Sequence, residues 1–340
     1  MNAKTSMQDI ANLLGISKNA VSLALNHKPG VSEELRSRVF EAAQQLKYRT
    51  ESKARKKQNH LLVLFPESVQ NDKNFYYEVF WSIEKRAKEN GYTAIISGVT
   101  NDMERLLILP DLYHEFAFSG ILLIGVFTPA YVSKLKELET PLVSVDHCYD
   151  GLQLDSVVTA NAEGACSIVS HLIRKGHRQI GFIGAGSMSK SFRERWFGFT
   201  NAMSDAGLAI DRSFCLIGPN KAASPDDELA SFLEAMSGQS PWPTAWFCAN
   251  DRLAISLIQH LTARGFHVPD AMSVVGFDDI EAAQMVRPRL TTIHVQREQL
   301  AFEAVDLLLR RIEKGGVPSK ISIYGELIER ESCVKVEVGV

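Results

Sequence analysis

Apolar residues recur at helical spacing in three short segments near the start of the chain. The first segment has one apolar face, formed by Met7, Ile10, Ala11 and Leu14. Thr5 is expected to cap this helix, with Gln8 three residues further on, and Gly15 is expected to end it.

A second helix is predicted after Ser17, which can cap it, and its inner side carries Val21 and Leu25. The outward side of this helix is polar at Lys18, Asn19 and Ser22. Pro29 breaks the chain, and Ser32 is expected to cap a third helix. Two short helices joined through a glycine turn, the second with polar side chains at its start, are typical of a DNA-binding helix-turn-helix. An ordinary small helical subdomain has the same spacing.

From Leu61 the pattern changes to short apolar runs that alternate with helical segments. The runs are L-L-V-L-F (61–65), T-A-I-I-S-G (93–98), G-I-L-L-I-G (120–125), P-L-V-S-V-D (141–146), Q-I-G-F-I-G (179–184), C-L-I-G (215–218), T-A-W-F-C (244–248) and S-V-V-G-F (273–277). L-T-T-I (290–293) and a helix over 299–314 precede a final pair of strands. Such alternation predicts doubly wound parallel sheets, in which ligands bind beyond the carboxyl ends of the strands.

Charge separates these two regions. Residues 1–60 carry a net charge of +6 and the remaining 280 carry −9, which together give −3. A basic head on an acidic body is expected if only the head meets phosphates, so the charge favours the DNA-binding interpretation of the first region.

Composition restricts the remaining possibilities. The N-terminus lacks an apolar signal core, and no stretch approaches the ~18 apolar residues of a membrane span. The five cysteines have no C-x-x-C spacing, which indicates mostly buried thiols in a reducing cytoplasm and no zinc site. We therefore expect a cytoplasmic protein with no cofactor, no bound metal and no membrane partner.

The first region resembles the N-terminal domain of the lac repressor (LacI/GalR) family of transcription regulators. The matching text is M-Q-D-I-A-N-L-L-G-I-S-K-N-A-V-S-L-A-L-N, then V-S-E-E-L-R-S-R-V and an L-K-Y that ends at Tyr48. Later text also matches, namely H-L-I-R-K-G-H-R-Q-I-G-F-I-G and V-V-G-F-D-D-I-E. The resemblance implies an all-α helix-turn-helix head and an α/β two-lobed core of the periplasmic-binding-protein type.

The resemblance also implies roles for single residues. Those matching Lys18 and Asn19 lie in the major groove, and those matching Thr5, Ser22 and Asn26 hold the DNA backbone. Leu23 stands where many members have an arginine that binds guanine. Leucine can touch a thymine methyl but cannot make that bidentate contact, so a different operator base is expected there. The full candidate DNA-contacting set is Thr5, Ser17, Lys18, Asn19, Ser22, Leu23, Asn26 and Lys57.

Residues 50–60 are polar and basic, as in a solvated linker, and we expect them to be a hinge between head and core. Lys57 falls where the family has a leucine that wedges into the minor groove. A lysine cannot act as an apolar wedge, so Lys53, Arg55, Lys56 and Lys57 are expected to follow phosphates or enter a narrow minor groove, with less kinking of the DNA.

The predicted organisation has a head over 1–49, the hinge over 50–60 and a core over 61–340. The resemblance implies that lobe one of the core comprises about 61–160 and 291–320, and lobe two about 161–290 and 321–340. The chain is expected to cross between the lobes near 158–162, 288–292 and 318–323.

Polar residues follow several predicted strands, where the cleft of such a core lies. Asp146 ends one strand, Asn250 and Asp251 follow another, and Asp278 and Asp279 follow a third. Each alone is typical of a helix cap, but together they favour a site for vicinal hydroxyls. Arg195 begins the helix after a fourth strand. Phe75, Tyr76 and Trp196 are candidates for an apolar wall, although core packing is equally expected of Trp196.

The resemblance supports Phe75, Tyr76, Asp146, Arg195, Asn250 and Asp278 as ligand-binding residues. Two departures concern the ligand's identity: Ala160 replaces a frequent aspartate, and V-Q-R follows L-T-T-I-H where some members place other cleft side chains. The predicted function is a homodimeric repressor that binds operator DNA and is controlled by a small effector, a sugar or sugar derivative.

Two other classes of protein share parts of this pattern. A transport receptor is opposed by the missing signal peptide and the basic head. An enzyme is opposed by the absence of G-x-S-x-G and H-E-x-x-H motifs, although strand-end carboxylates can pair for glycoside hydrolysis. G-F-I-G-A-G-S (181–187) lacks the third glycine of a dinucleotide loop and is better explained as a tight turn.

Overall fold

A computed structural model describes residues 6–25, 30–46, 59–67, 69, 73–185, 189–218, 224–238 and 241–336. The chain divides into two units, residues 1–57 and 58–340. The predicted DNA contacts of Thr5, Asn26 and Lys57, and the basic linker with Lys53, Arg55 and Lys56, lie outside the described residues.

The described part of the first unit contains three helices around a small apolar core. They are α1 (Met7–Leu14), α2 (Lys18–Leu25) and α3 (Glu33–Gln45). The core of this unit is formed by Ile10, Ala11, Val21, Ala24, Val39, Ala42 and Ala43. Gly15 ends α1 with φ 65°, a backbone conformation that glycine adopts without the steric cost of a side chain.

The predicted cap of α1 was wrong by one residue. The helix begins after Ser6, whose backbone N–H donates to the carboxylate of Asp9 at 2.7 Å. Ser6 and Asp9 therefore form the capping box, in place of Thr5 and Gln8, because the helix starts one residue later than the sequence pattern indicated. Ser32 does cap α3, since its hydroxyl accepts from the backbone N–H of Leu35 at 3.2 Å.

The second unit contains a six-stranded parallel sheet in one lobe. Its order is β11-β5-β4-β3-β1-β2. The strands are β1 (His60–Pro66), β2 (Thr93–Val99), β3 (Gly120–Ile124), β4 (Leu142–Val145), β5 (Asp155–Thr159) and β11 (Lys320–Ile323). Leu61 and Val63 face one buried cluster while Leu62 and Leu64 face another, so both faces of the sheet are covered. This explains the unbroken apolar runs in the sequence.

The other lobe has a four-stranded parallel sheet of order β7-β6-β8-β9. Its strands are β6 (Ile180–Ala185), β7 (Cys215–Gly218), β8 (Ala245–Cys248) and β9 (Ser273–Val275). A short antiparallel pair, β10 (Thr292–His294) and β12 (Glu326–Ile328), lies outside both sheets. The predicted two-lobed α/β fold is confirmed, and the antiparallel pair is an addition to it.

Within the described ranges of the second unit, ten helices connect or flank these strands. They are α4 (Lys73–Glu89), α5 (Asn101–Leu106), α6 (Leu112–Glu115), α7 (Pro129–Lys136), α8 (Asn161–Arg174), α9 (Lys190–Asp205), α10 (Pro225–Ala235), α11 (Asp251–Ala263), α12 (Glu281–Met285) and α13 (Arg297–Lys314). A 3₁₀ turn covers Arg212–Phe214. The sequence pattern did not predict α5, α6, α12 or this turn, because each is too short to show a periodicity.

The passages between the lobes can be compared with the strands. β5 was not recognised as a strand from the sequence, but it ends at Thr159 and α8 begins at Asn161, within the predicted crossing near 158–162. β11 was assigned partly to lobe two, but Ile321 and Ile323 pair with Val157 and Thr159 in the first sheet. The last passage to lobe two therefore follows β11.

Helices α8 and α9 approach closely at Gly198. A Cβ atom added there would lie 2.1 Å from the backbone oxygen of Ala162. Glycine is required at this contact, and the contact fixes α9, which carries Arg195, against the start of α8.

All five cysteines are free thiols. Cys248 and Cys333 are buried, as expected, but Cys148, Cys166 and Cys215 are only partly buried. The described residues include no helix that is long and apolar enough to span a membrane.

Candidate functional site

Three of the candidate DNA-contacting residues, Ser17, Lys18 and Asn19, lie at the start of α2. The hydroxyl of Ser17 accepts from the backbone N–H of Ala20 at 3.1 Å, which confirms the predicted cap. Lys18 and Asn19 follow it and are exposed. Exposed amine and amide groups at this end of a helix are suited to base edges in the major groove.

Ser22 and Leu23 lie one turn further along α2 and are only half exposed. Leu23 packs towards the turn that leads to α3, since a Cβ atom built at Gly30 would lie 3.4 Å from its Cδ1. Leu23 thus lies beside Gly30 and leaves part of its apolar surface exposed.

A cavity of about 90 Å³ lies between the two lobes of the core. Lobe one contributes residues from α4 and from the end of β4, and lobe two contributes residues from α9 and from the ends of β8 and β9. The lining residues are Phe75, Tyr76, Asp146, Ser191, Phe192, Arg195, Asn250 and Asp278. All six residues predicted to bind the ligand are brought together here.

Arg195 is the most constrained of these side chains. It is buried, and its Nη2 lies 3.0 Å from Oδ1 of Asp278. Its Nε donates to Oδ1 of Asn161 at 2.9 Å, and its Nη1 donates to the backbone oxygen of Ala249 at 2.6 Å. The guanidinium carbon lies 3.8 Å from the ring centroid of Phe277. These contacts fix the orientation of the arginine before any ligand arrives.

Asp146 is held much more loosely. Tyr76 donates its hydroxyl to one carboxylate oxygen at 3.4 Å, and Thr159 donates to the other at 3.5 Å. Burial raises the pKa of Asp146 to about 7, a shift that nearby Arg195 opposes and Asp278 increases. Since both hydrogen bonds are long, the carboxylate gains more from a ligand that donates hydrogen bonds than Asp278 does.

The other strand-end residues have separate roles. Asn250 lines the cavity and also caps α11, because its Oδ1 accepts from the backbone N–H of Leu253 at 3.0 Å. Asp251 is fully buried and accepts from Oγ1 of Thr292 at 2.6 Å. Burial raises the pKa of Asp251 well above its ordinary value, and Asp278 adds to this shift. Asp251 is therefore a structural residue behind the site.

Asp279 is also directed away from the cavity. Its carboxylate lies 2.7 Å from Nη2 of Arg330 and 3.1 Å from Nδ1 of His294. Asp278 and Asp279 both have left-handed backbone conformations, with φ of 112° and 53°. This unusual turn directs Asp278 to Arg195 and Asp279 to the opposite side.

The sequence reading missed two lining residues. Ser191 and Phe192 lie one turn before Arg195 on α9, so helical spacing counted back from the arginine would have identified both. Trp196 packs on Phe182 and Phe199 rather than lining the cavity, so the core-packing alternative is correct for it.

A helix-turn-helix unit and a two-lobed core with a polar cavity define a DNA-binding regulator with a periplasmic-binding-protein-like domain. Two family models agree: residues 6–51 match "Bacterial regulatory proteins, lacI family", and residues 169–333 match "Periplasmic binding protein-like domain". The HTH-type transcriptional repressor PurR of Haemophilus influenzae (strain PittEE) is 31% identical over 339 residues, which cover 97% of this chain and 99% of that protein. The chain belongs to the lacI family and is a DNA-binding transcriptional repressor of that family.

Solved structures show the same fold. The transcriptional regulator CelR in complex with cellobiose superposes with a TM-score of 0.70 at 24% identity, covering 96% of this chain and 99% of that one. The lac repressor dimer bound to operator and the anti-inducer ONPF gives a TM-score of 0.69 at 23% identity, covering 98% and 100%.

Proposed function

We propose that this repressor binds operator DNA as a homodimer and is controlled by a sugar or sugar derivative bound between its lobes. One observation carries the proposal: the six residues predicted to bind the ligand, three after strand ends, one on α9 and an aromatic pair, line one cavity between the lobes. Because the cavity wall comes from both lobes, a ligand there stabilises one relative position of the lobes over others. Its proposed place of action is the cytoplasm, where the operator lies.

The chemistry of the cavity fits a hydroxyl-rich ligand. Asp146 supplies hydrogen-bond acceptors, Asn250 and Ser191 supply amide and hydroxyl groups, and Phe75 and Phe192 supply apolar surface for a sugar ring. The CelR regulator, which has this fold, is bound to cellobiose. The same chemistry makes a negatively charged ligand a poor fit, since Arg195 is already neutralised by Asp278.

We propose sensing rather than turnover for this cavity. Ser191 is the only serine among the described residues that line the cavity. Its Oγ lies 2.9 Å from Oγ of Ser189 and is not hydrogen-bonded to a histidine among the described residues. A serine without a general base is a poor nucleophile. The arrangement therefore binds a ligand without the groups that acyl transfer requires.

A ligand panel tests the proposal. The purified full-length protein is heated with single mono- and disaccharides, including cellobiose, and with nucleobases as planar alternatives. A rise in melting temperature with one sugar, and no consumption of that sugar, supports a sugar sensor. Consumption of the sugar would show an enzyme. Stabilisation by a nucleobase alone would show that the effector is a nucleobase and not a sugar. Stabilisation by no compound would count against an effector of either class.

Asn19→Ala is expected to weaken operator binding about tenfold or more while leaving binding to random DNA nearly unchanged, because base contacts specify and phosphate contacts only position. Gel-shift titrations on the best genomic fragment and on a scrambled duplex measure both affinities. Asn12→Ala is the matched control, since Asn12 is an exposed asparagine on α1. Equal losses on both DNAs would contradict the proposed docking of α2.

The homodimer is proposed from an exposed aromatic face on α4. Tyr77 is 64% exposed and Trp81 is 57% exposed, and the centroids of their rings lie 6.1 Å apart in an edge-to-face arrangement. Trp81→Lys is therefore expected to raise the dimer dissociation constant by about tenfold or more, measured by sedimentation. Tyr324→Lys, at a residue that is 71% exposed elsewhere on the core, is the control and should leave the dimer intact. Equal dissociation in both variants would exclude this face.

A further inference from the structure

We infer that Arg297 is a positioning residue that couples the ligand-binding turn of lobe two to helix α4 of lobe one. The inference rests on the proposed function, because it concerns how an occupied cavity is communicated to the rest of the core. It assigns a role to the arginine of V-Q-R, which departs from the family text.

Arg297 contacts both sides of the division between the lobes. It is the first residue of α13, which packs on α4 and the sheet of lobe one. Its Nη1 donates to the backbone oxygen of Asp278 at 2.6 Å, and its Nη2 donates to that of Asp279 at 3.2 Å. Its Nε donates to Oε2 of Glu78 on α4 at 2.6 Å. One guanidinium thus joins two backbone carbonyl groups of this turn to the carboxylate of Glu78.

The two contacts in lobe two involve a strained turn. Asp278 and Asp279 have positive φ angles, which cost free energy for residues other than glycine. Hydrogen bonds from Arg297 to the two carbonyl groups of this turn stabilise it, and the turn directs the carboxylate of Asp278 into the cavity. A shift of this turn on ligand binding therefore moves the acceptors of Arg297.

In lobe one, Arg297 contacts α4, which lines the cavity with one face and carries the proposed dimer face on another. The guanidinium carbon of Arg297 lies 5.4 Å from the ring centroid of Phe75, which lines the cavity. Around the axis of α4, Glu78, the ion-pair partner of Arg297, lies between Phe75 on one side and the exposed pair of Tyr77 and Trp81 on the other. A force applied through Arg297 acts on α4 at the level of the proposed dimer face.

Burial makes this linkage stiff. Arg297 is 7% exposed, so the guanidinium depends on its protein partners and cannot exchange them for water at little cost. Planar guanidinium geometry is also required, because a lysine ammonium cannot reach three acceptors in fixed directions.

Arg330 provides a matched control. It contacts the same turn, through the carboxylate of Asp279 at 2.7 Å, but its guanidinium also donates to the backbone oxygen of Leu290 at 2.9 Å and not to a residue of α4. Loss of Arg330 therefore loosens the turn while the connection from the turn to α4 remains.

Amide hydrogen exchange of the full-length protein tests the coupling without ligand or DNA. Asp278→Asn removes the ion pair with Arg195 and serves as the perturbation of the turn. It is expected to raise exchange in α4 about fivefold in the otherwise unchanged protein and in the Arg330→Gln background. In the Arg297→Gln background the same change should raise exchange in α4 less than about twofold.

Two results of this experiment would overturn the coupling. An equal response of α4 to Asp278→Asn in all backgrounds would overturn the coupling, and so would its loss in Arg330→Gln as well as in Arg297→Gln. If Arg297→Gln does not fold, Glu78→Gln cuts the same link at its α4 end, where the Glu78 side chain is 48% exposed, and should abolish the response. Since no effector is added, failure here is distinct from failure to find a sugar ligand.

Discussion

Replacing Arg195 with methionine is expected to abolish the effector response and to lower the free energy of unfolding by about 3 kcal/mol. Methionine retains much of the apolar stem, but the change leaves the carboxylate of Asp278 without its cation and the oxygen of Asn161 without its donor. Removing one member of a buried pair costs more than the pair contributes, because the remaining charge stays buried.

Operator titrations with and without the compound found in the ligand panel measure the response, and chemical denaturation measures the stability. Arg212→Met is the control, because Arg212 also covers an aromatic ring, that of Trp196 at 4.7 Å, but does not line the cavity. Its expected loss of stability is below about 1 kcal/mol. An unchanged effector response in Arg195→Met would remove this arginine from the site.

The site residues were predictable because their signals are local. A parallel sheet places the ends of its strands at one edge, so Asp146, Asn250 and Asp278 could be grouped from their positions after three apolar runs. The family resemblance then selected Asp278 over Asp279. The structure gives the physical reason for that choice, since only Asp278 contacts Arg195.

The errors arose where the structure depends on distant residues. β5 begins with a charged residue, Asp155, whose buried side chain is held by distant partners: Arg311 donates to it from α13 at 2.7 Å, and the backbone N–H of Ser319 also donates to it at 2.7 Å. β11 is short and half exposed, and it becomes a strand of lobe one by pairing with β5 across more than 150 residues. Neither partner is visible in a window of the sequence.

The two carboxylates that line the cavity differ in how firmly their protein partners hold them. Asp278 is paired, and its turn is held by Arg297, whereas Asp146 has only long hydrogen bonds. Asp146 also has a positive φ of 62°. A strained, weakly partnered carboxylate lowers stability in the unliganded protein, and such groups persist at sites where a ligand supplies the missing contacts.

Asp146→Asn is therefore expected to weaken binding of the panel compound about tenfold or more and to stabilise the unliganded protein at pH 8 by roughly 1–3 kcal/mol. The pKa of Asp146 is raised from 3.8 to about 7, with burial as the main cause. Because the folded state disfavours the ionised form, stability should fall as the pH rises from about 4 to about 7 and remain constant above that, and asparagine removes this loss.

Ligand hydroxyls that donate to Asp146 favour its ionised form, so affinity should rise with pH up to about 7, by nearly tenfold per unit, and then level off. Calorimetric titrations from pH 5.5 to 8.5 measure this slope, with Arg195, Asp278, Tyr76 and Thr159 as the charged and hydrogen-bonding groups that face the carboxylate. Asp150→Asn, at an exposed carboxylate paired with Lys190, should keep the slope, and Asp146→Asn should remove it. A slope that persists in Asp146→Asn would assign the titration to another group and leave Asp146 as a structural residue.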